Sequence, residues 1–90
     1  MKKNYESLLS QITELYIKAK EQVFYWDKRC DDEKGEDIVE IYCNIRNAYA
    51  HEAAAYFKIL RKEVLQEDIE NMHETAWLQF QKSLNNSGIA

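Results

Sequence analysis

Proline is absent from this 90-residue chain, and glycine occurs only twice, at Gly35 and Gly88. Both residue types interrupt helices or set turns, so their scarcity favours long, uninterrupted helices. A chain of this length forms one domain at most, and so small a domain buries only a modest fraction of its surface. With 46% hydrophobic and 31% charged residues, the composition is globular and not disordered. The sequence therefore predicts a single all-α domain over residues 1–90.

Apolar residues recur at steps of three and four, the spacing of one face of an α-helix. The predicted helices cover about residues 4–31, 37–64 and 67–84. Asn4 is expected to cap the first helix, and residues 85–88 are expected to stop the third. The apolar pattern shifts by one residue between Val64 and Leu65, which favours a break there. One continuous, bent helix remains the alternative, because neither glycine nor proline separates the two segments.

The turn of a helical hairpin is predicted at residues 31–37, which contain no apolar side chain. Gly35 is expected to adopt the left-handed conformation that often ends a helix. Glu36 and Asp37 favour a new helix N-terminus, where the helix dipole stabilises negative charge. Because the connection is short, the second helix should fold back on the first. The expected architecture is a long antiparallel helical hairpin plus a third, C-terminal helix in a small bundle.

The chain carries a heavy load of aromatic side chains, with six tyrosines, three phenylalanines and two tryptophans. Such side chains bury large areas and favour interfaces. Two or three helices offer little interior for them, so we expect a homodimer or a higher homo-oligomer, or a protein partner. Tyr25, Trp26 and Trp77 are the candidate anchors at such an interface. For Trp26, packing on the hairpin core is the competing interpretation.

Acidic residues cluster at the predicted hairpin tip, where the candidate partner-binding residues are Asp31, Asp32, Glu33, Glu36 and Asp37. The net charge of −4 weakens the case for general nucleic-acid affinity. An acidic cluster can instead dock on a basic protein surface or mimic phosphates. The competing interpretation is a solvated loop whose charges complement the helix dipoles.

The N-terminal sequence has no apolar run long enough for a signal peptide or a membrane span, which predicts a cytoplasmic protein without membrane contact. Cys30 and Cys43 lack metal-binding spacing and are expected as free thiols. Glu70 and His73 have the i, i+3 spacing used in ferritin-like bundles, so a metal-binding helical oligomer is one alternative. A single such pair is a weak signal, and we predict no metal ligands and no cofactor.

One short motif points toward chemistry. The segment Ile45-Arg46-Asn47-Ala48-Tyr49-Ala50-His51 reads as R-N-x-x-x-H within a helix. It resembles the signature of the HEPN superfamily, small helical proteins whose active members are often metal-independent endoribonucleases that work as dimers. The resemblance implies that Arg46 binds a phosphate of RNA and that His51 moves a proton beside the 2′-hydroxyl. Asn47 would orient the histidine or hold a phosphate oxygen.

The spacing of these residues sets a geometric condition. Arg46 and His51 are offset by about 140° around an ideal helix, whereas Asn47 and His51 share a face. A local distortion or a second subunit would be needed to bring all three to one phosphate.

The sequence leaves two main functional hypotheses: a HEPN-like ribonuclease or a degenerate relative, and a non-catalytic protein-binding module. The second class includes inhibitors, immunity proteins, antitoxins and phage anti-defence proteins.

Overall fold

A computed structural model describes residues 2–88 of the chain, with side chains from Tyr5 to Asn85. Its three helices are α1 (Lys2–Asp32), α2 (Glu36–Glu63) and α3 (Gln66–Gly88). The described residues contain no β-strand. The predicted all-α fold, a helical hairpin followed by a third helix, is confirmed.

Side-chain contacts between α1 and α2 show that the two helices run antiparallel. Near the turn, the sulfur of Cys30 contacts that of Cys43. At the far end, the Tyr5 hydroxyl donates a hydrogen bond to the Glu63 carboxylate. Residues that contact each other thus lie at similar distances from the turn on the two helices, as they do in an antiparallel pair. This register puts the second half of the R-N-x-x-x-H motif opposite the middle of α1.

The turn itself differs from the sequence-based prediction. Gly35 has φ −81° and ψ 119°, an extended conformation, and serves as the N-cap of α2. The expected left-handed conformation is therefore wrong. The Glu33 carboxylate accepts hydrogen bonds from the backbone N–H groups of Lys34 and Gly35, at 3.0 and 3.1 Å. Because these donors are already satisfied, the turn does not need the left-handed helix ending that glycine usually provides.

The helix ends also differ in places from the predicted ones. α1 already includes Lys2, so Asn4 lies within the helix and does not cap it. α3 continues through residues 85–88, because Asn and Ser lower helix stability only slightly and do not stop a helix by themselves. The expected break between α2 and α3 is present. Val64 is extended, with φ −129° and ψ 164°, and its N–H closes α2 by donating to the Leu60 carbonyl.

The core is small and lies where the three helices meet. Among the described residues, the buried side chains are Tyr16, Ala19, Cys30, Ala53, Leu60, Ile69, Ala76 and Phe80. Three of them are alanines, which allow close helix approach but bury little area. The chain is elongated, with principal extents of 51 × 27 × 20 Å. Its radius of gyration of 15.1 Å exceeds the roughly 12 Å of a compact domain of this length.

α3 packs mainly on α1 and touches α2 at few positions. Its first turns place Ile69 and Met72 in the core that the hairpin forms around Leu60. Farther along, Trp77 and Phe80 pack on Phe24 of α1. α1 therefore packs against both other helices, whereas α2 and α3 make few contacts with each other.

Many large apolar side chains remain exposed in the described part of the chain. They are Tyr5, Leu8, Leu15, Tyr25, Ile38, Ile41, Ile59, Leu65, Trp77 and Leu78. Single exposed apolar groups are common on globular domains. None of the described helices carries an apolar run long enough to cross a bilayer.

Candidate functional site

A surface depression between α1 and α3 brings together acidic and aromatic side chains that are far apart in the sequence. It has a volume of about 340 Å³. Its lining consists of Phe24, Asp27, Lys28, Asp31, Asp32, Trp77, Phe80, Gln81 and Leu84. We call this surface the acidic–aromatic depression. It contains three of the predicted partner-binding residues, namely Asp31, Asp32 and Trp77.

The carboxylates of the depression differ in their partners. The Asp32 carboxylate forms an ion pair with the Lys28 ammonium at 3.0 Å, one helical turn away. The Asp27 carboxylate forms an ion pair with the guanidinium of Arg46 in α2, which donates a hydrogen bond to it at 2.8 Å. Within the described part of the chain, Asp31 has no hydrogen bond or ion pair and is exposed. The depression therefore presents one unpaired negative charge.

The aromatic wall of the depression is built by α3 against Phe24. The Trp77 ring meets the Phe24 ring edge to face, with centroids 5.1 Å apart, and Phe80 lies 5.6 Å from Trp77. Phe80 is buried, whereas Trp77 is 44% exposed. His73 extends the wall by packing edge to face on Phe24 at 5.3 Å. Burial, together with the charge of Lys20, lowers the pKa of His73.

The R-N-x-x-x-H residues lie in one regular helix, and only two of their side chains meet. The Arg46 guanidinium donates to Asn47 Oδ1 at 3.2 and 3.3 Å as well as to Asp27. The bond to Asp27 raises the pKa of Arg46. His51 is exposed and, within the described part of the chain, receives no hydrogen bond or ion pair. Helical geometry places His51 about 140° around the helix from Arg46, so the two side chains of one chain do not meet at a common site.

The remaining predicted partner-binding residues lie outside the depression. The Glu33 carboxylate accepts hydrogen bonds from the backbone of the turn. Glu36 and Asp37 are exposed in the first turn of α2. Trp26 is half-buried, stacks obliquely on Tyr42 of α2 and donates to Gln22. Trp26 therefore packs in the hairpin contact.

Comparisons of the chain with protein-family profiles, with curated protein sequences and with solved structures found no match. Its functional assignment therefore depends on the residues and their geometry. Within the described part of the chain, no three His, Cys, Asp or Glu side chains come close enough to hold a metal ion. His73, one half of the Glu70–His73 pair of the ferritin-like alternative, packs on Phe24.

Sequence reasoning missed an aromatic cage around Arg29, in the last turn of α1. The guanidinium lies 4.9 Å from the Tyr42 ring centroid and donates to the hydroxyls of Tyr25 and Tyr42, at 2.9 and 2.8 Å. It also lies 5.8 Å from the ring centroid of Trp26. Spacings of three and four residues between Trp26, Tyr25 and Arg29 were the available signal. The cage holds Tyr25 against the hairpin, although 38% of its surface stays exposed.

A second hollow, of about 300 Å³, lies between α1 and the alanine-rich part of α2. Its lining includes Tyr16, Lys20 and Phe57. The Lys20 ammonium lies 5.6 Å from the Phe24 ring centroid, and partial burial lowers its pKa. This contact links Lys20 of the hollow to Phe24, which lines the acidic–aromatic depression.

Proposed function

We propose that this chain is a non-catalytic protein-binding module whose acidic–aromatic depression takes a basic segment of a partner protein. One observation carries the proposal: the exposed Trp77 ring and the unpaired Asp31 carboxylate line the same depression. The two residues come from different helices. The sequence-based hypothesis of a binding module required such a combination of an exposed aromatic ring and an acidic group.

The chemistry of the depression defines the partner segment. A Lys or Arg side chain that enters it would pair with Asp31, and its cation would be attracted by the face of Trp77. The apolar stem of the same side chain, or a neighbouring apolar residue, would cover Phe24 and Leu84. A volume of about 340 Å³ suits one or two such side chains and not a whole domain.

A selection from a library of displayed random peptides tests this proposal, because it does not require the partner to be identified first. The purified chain is expected to enrich peptides that share a Lys or Arg next to an apolar or aromatic residue. Trp77→Ala is expected to weaken binding of an enriched peptide at least about 10-fold, because exposed tryptophans dominate interface energies. Fluorescence anisotropy of the labelled peptide gives the dissociation constants.

Leu78→Ala is the matched control, since Leu78 neighbours Trp77, is 59% exposed and does not line the depression. Its affinity for the peptide should stay within about twofold of wild type. The proposal fails if no basic motif is enriched. It also fails if Trp77→Ala binds the peptide as tightly as Leu78→Ala, while circular dichroism shows both variants folded.

A HEPN-like metal-independent ribonuclease is the second proposal. It is favoured by the bond between Arg46 and Asn47 and by the exposed, unpartnered His51 at i+4 from Asn47. Arg46 is engaged by Asp27, so the active arrangement would need His51 of one chain to approach Arg46 of another. Such a site exists only in a dimer, which sedimentation velocity would detect.

Under this second proposal, His51→Ala should lower RNA cleavage in the presence of EDTA by about 10²–10⁴-fold, the usual contribution of a general acid or base. His73→Ala is the control, because it removes the only other histidine of the chain. Cleavage is measured with a fluorogenic single-stranded RNA. Equal rates for wild type and His51→Ala would remove the motif from any RNA cleavage seen.

A further inference from the structure

Cys30 and Cys43 face each other across the hairpin, close to its turn. Cys30 is buried near the end of α1, and Cys43 is half-buried about two turns into α2. Both thiols are free, and their Sγ atoms are 2.9 Å apart. A disulfide needs about 2.0 Å between its sulfurs, so a relative shift of about 0.9 Å would bring these two to bonding distance.

We infer that Cys30 and Cys43 are a redox modification site that forms an intrachain disulfide when a small-molecule disulfide, such as oxidised glutathione, is supplied. The bond would join the end of α1 to the start of α2 beneath the acidic turn. This inference goes beyond the protein-binding proposal and does not depend on it.

The reaction proceeds by two thiol–disulfide exchanges. The thiolate of Cys43, the more exposed sulfur, attacks one sulfur of oxidised glutathione, and one glutathione thiolate leaves. Cys30 then loses its proton to solvent and attacks the Cys43 sulfur, which expels the second glutathione thiolate. The two cysteines lose two protons and two electrons in total. Two molecules of reduced glutathione carry these away, and one protein disulfide replaces one glutathione disulfide.

The surroundings of the thiols support this order of attack. Burial, reinforced by the neighbouring Cys43, raises the pKa of the Cys30 thiol to about 11. Cys30 is therefore a poor nucleophile toward a dilute external oxidant. Its contact with Cys43 gives it a high effective concentration for the second, intrachain step. The mixed disulfide on Cys43 should accordingly be short-lived in the wild-type chain.

The closed loop contains the turn and all five acidic residues of the tip, and closing it restricts the unfolded chain. Because the sulfurs already touch, little distortion of the folded hairpin is required. The thermal unfolding midpoint is therefore expected to rise by on the order of 10 °C on oxidation. A reductant such as dithiothreitol should reverse the rise.

The test uses the full reduced chain, incubated with oxidised glutathione at neutral pH, blocked with iodoacetamide and analysed by intact mass and peptide mapping. The expected product is a monomer that has lost two hydrogens, with Cys30 linked to Cys43 and a higher thermal midpoint. Cys30→Ser, as a control, should accumulate a glutathione adduct on Cys43 and show no such rise. Glutathione adducts on both wild-type cysteines, interchain dimers without the intrachain link, or a lowered midpoint would each overturn the inference.

Discussion

Replacing Leu60 by Ala should lower the free energy of unfolding by about 2–5 kcal/mol, the usual range for a buried leucine. Leu60 is fully buried and packs in the core where Tyr16 of α1, Ala53 of α2 and Ile69 of α3 meet. The alanine side chains of this core are too small to fill the cavity that the substitution leaves. Since small domains have only about 5–15 kcal/mol of stability, the change should remove a large share of it. Urea unfolding followed by circular dichroism measures the loss.

Ile59→Ala is the matched control for this prediction. It removes a similar aliphatic side chain from the adjacent position, where 46% of the surface is exposed. The expected loss is below about 1 kcal/mol, because little apolar area returns to water. Comparable losses for Leu60→Ala and Ile59→Ala would contradict the assignment of the core, and with it the placement of α3 against the hairpin.

The second large effect is expected from Phe80→Ala, with a loss of about 3–5 kcal/mol. Phe80 is buried and joins α3 to α1 through Phe24, whose ring centroid lies 6.0 Å away. Because α3 barely touches α2, its second half is held mainly by its packing on α1. The loss should therefore include local detachment of α3 while the hairpin stays folded.

Hydrogen–deuterium exchange distinguishes local detachment from global unfolding. In Phe80→Ala, amides of residues 76–85 should lose protection far more than those of α1 and α2. Leu78→Ala, which alters a 59% exposed side chain two positions away, should leave the exchange pattern of α3 nearly unchanged. Uniform loss of protection over all three helices in Phe80→Ala would show that α3 is not a separately attached element.

The hairpin was predictable because its signals are local. The apolar spacing marks each helix, and the polar segment around Gly35 marks the turn. Phe24 lies off the apolar stripe of α1, which runs here through Ala19, Val23 and Trp26, and this was the available sign of a second packing face. The structure places α3 against Phe24. The conformation of Gly35 was not predictable from residue type, because it depends on where the Glu33 carboxylate finds its donors.

The candidate site was only partly predictable. Sequence reasoning selected Asp31, Asp32 and Trp77 as partner-binding residues, but it gave no reason to place them in one depression. That placement depends on the direction of α3 after the break at Val64, which a pattern of apolar spacing does not encode. A stripe shows which face of α3 is buried but not which helix it packs on. The pairing of Arg46 with Asp27 depends in the same way on the register of the hairpin.

The protein-binding proposal is tested most directly by titration calorimetry of one selected basic peptide at about 150 mM salt. Three chains are compared: wild type, Asp31→Lys and Glu40→Lys. Both variants change the net charge equally, but Glu40 is an exposed residue that does not line the depression. Reversing the charge that faces a bound cation replaces attraction by repulsion, each about 1 kcal/mol at 4 Å in water. Asp31→Lys should therefore weaken binding at least about 10-fold, and Glu40→Lys less than about twofold. Equal affinities for all three chains, or equal weakening in both variants, would contradict the proposed role of the acidic–aromatic depression.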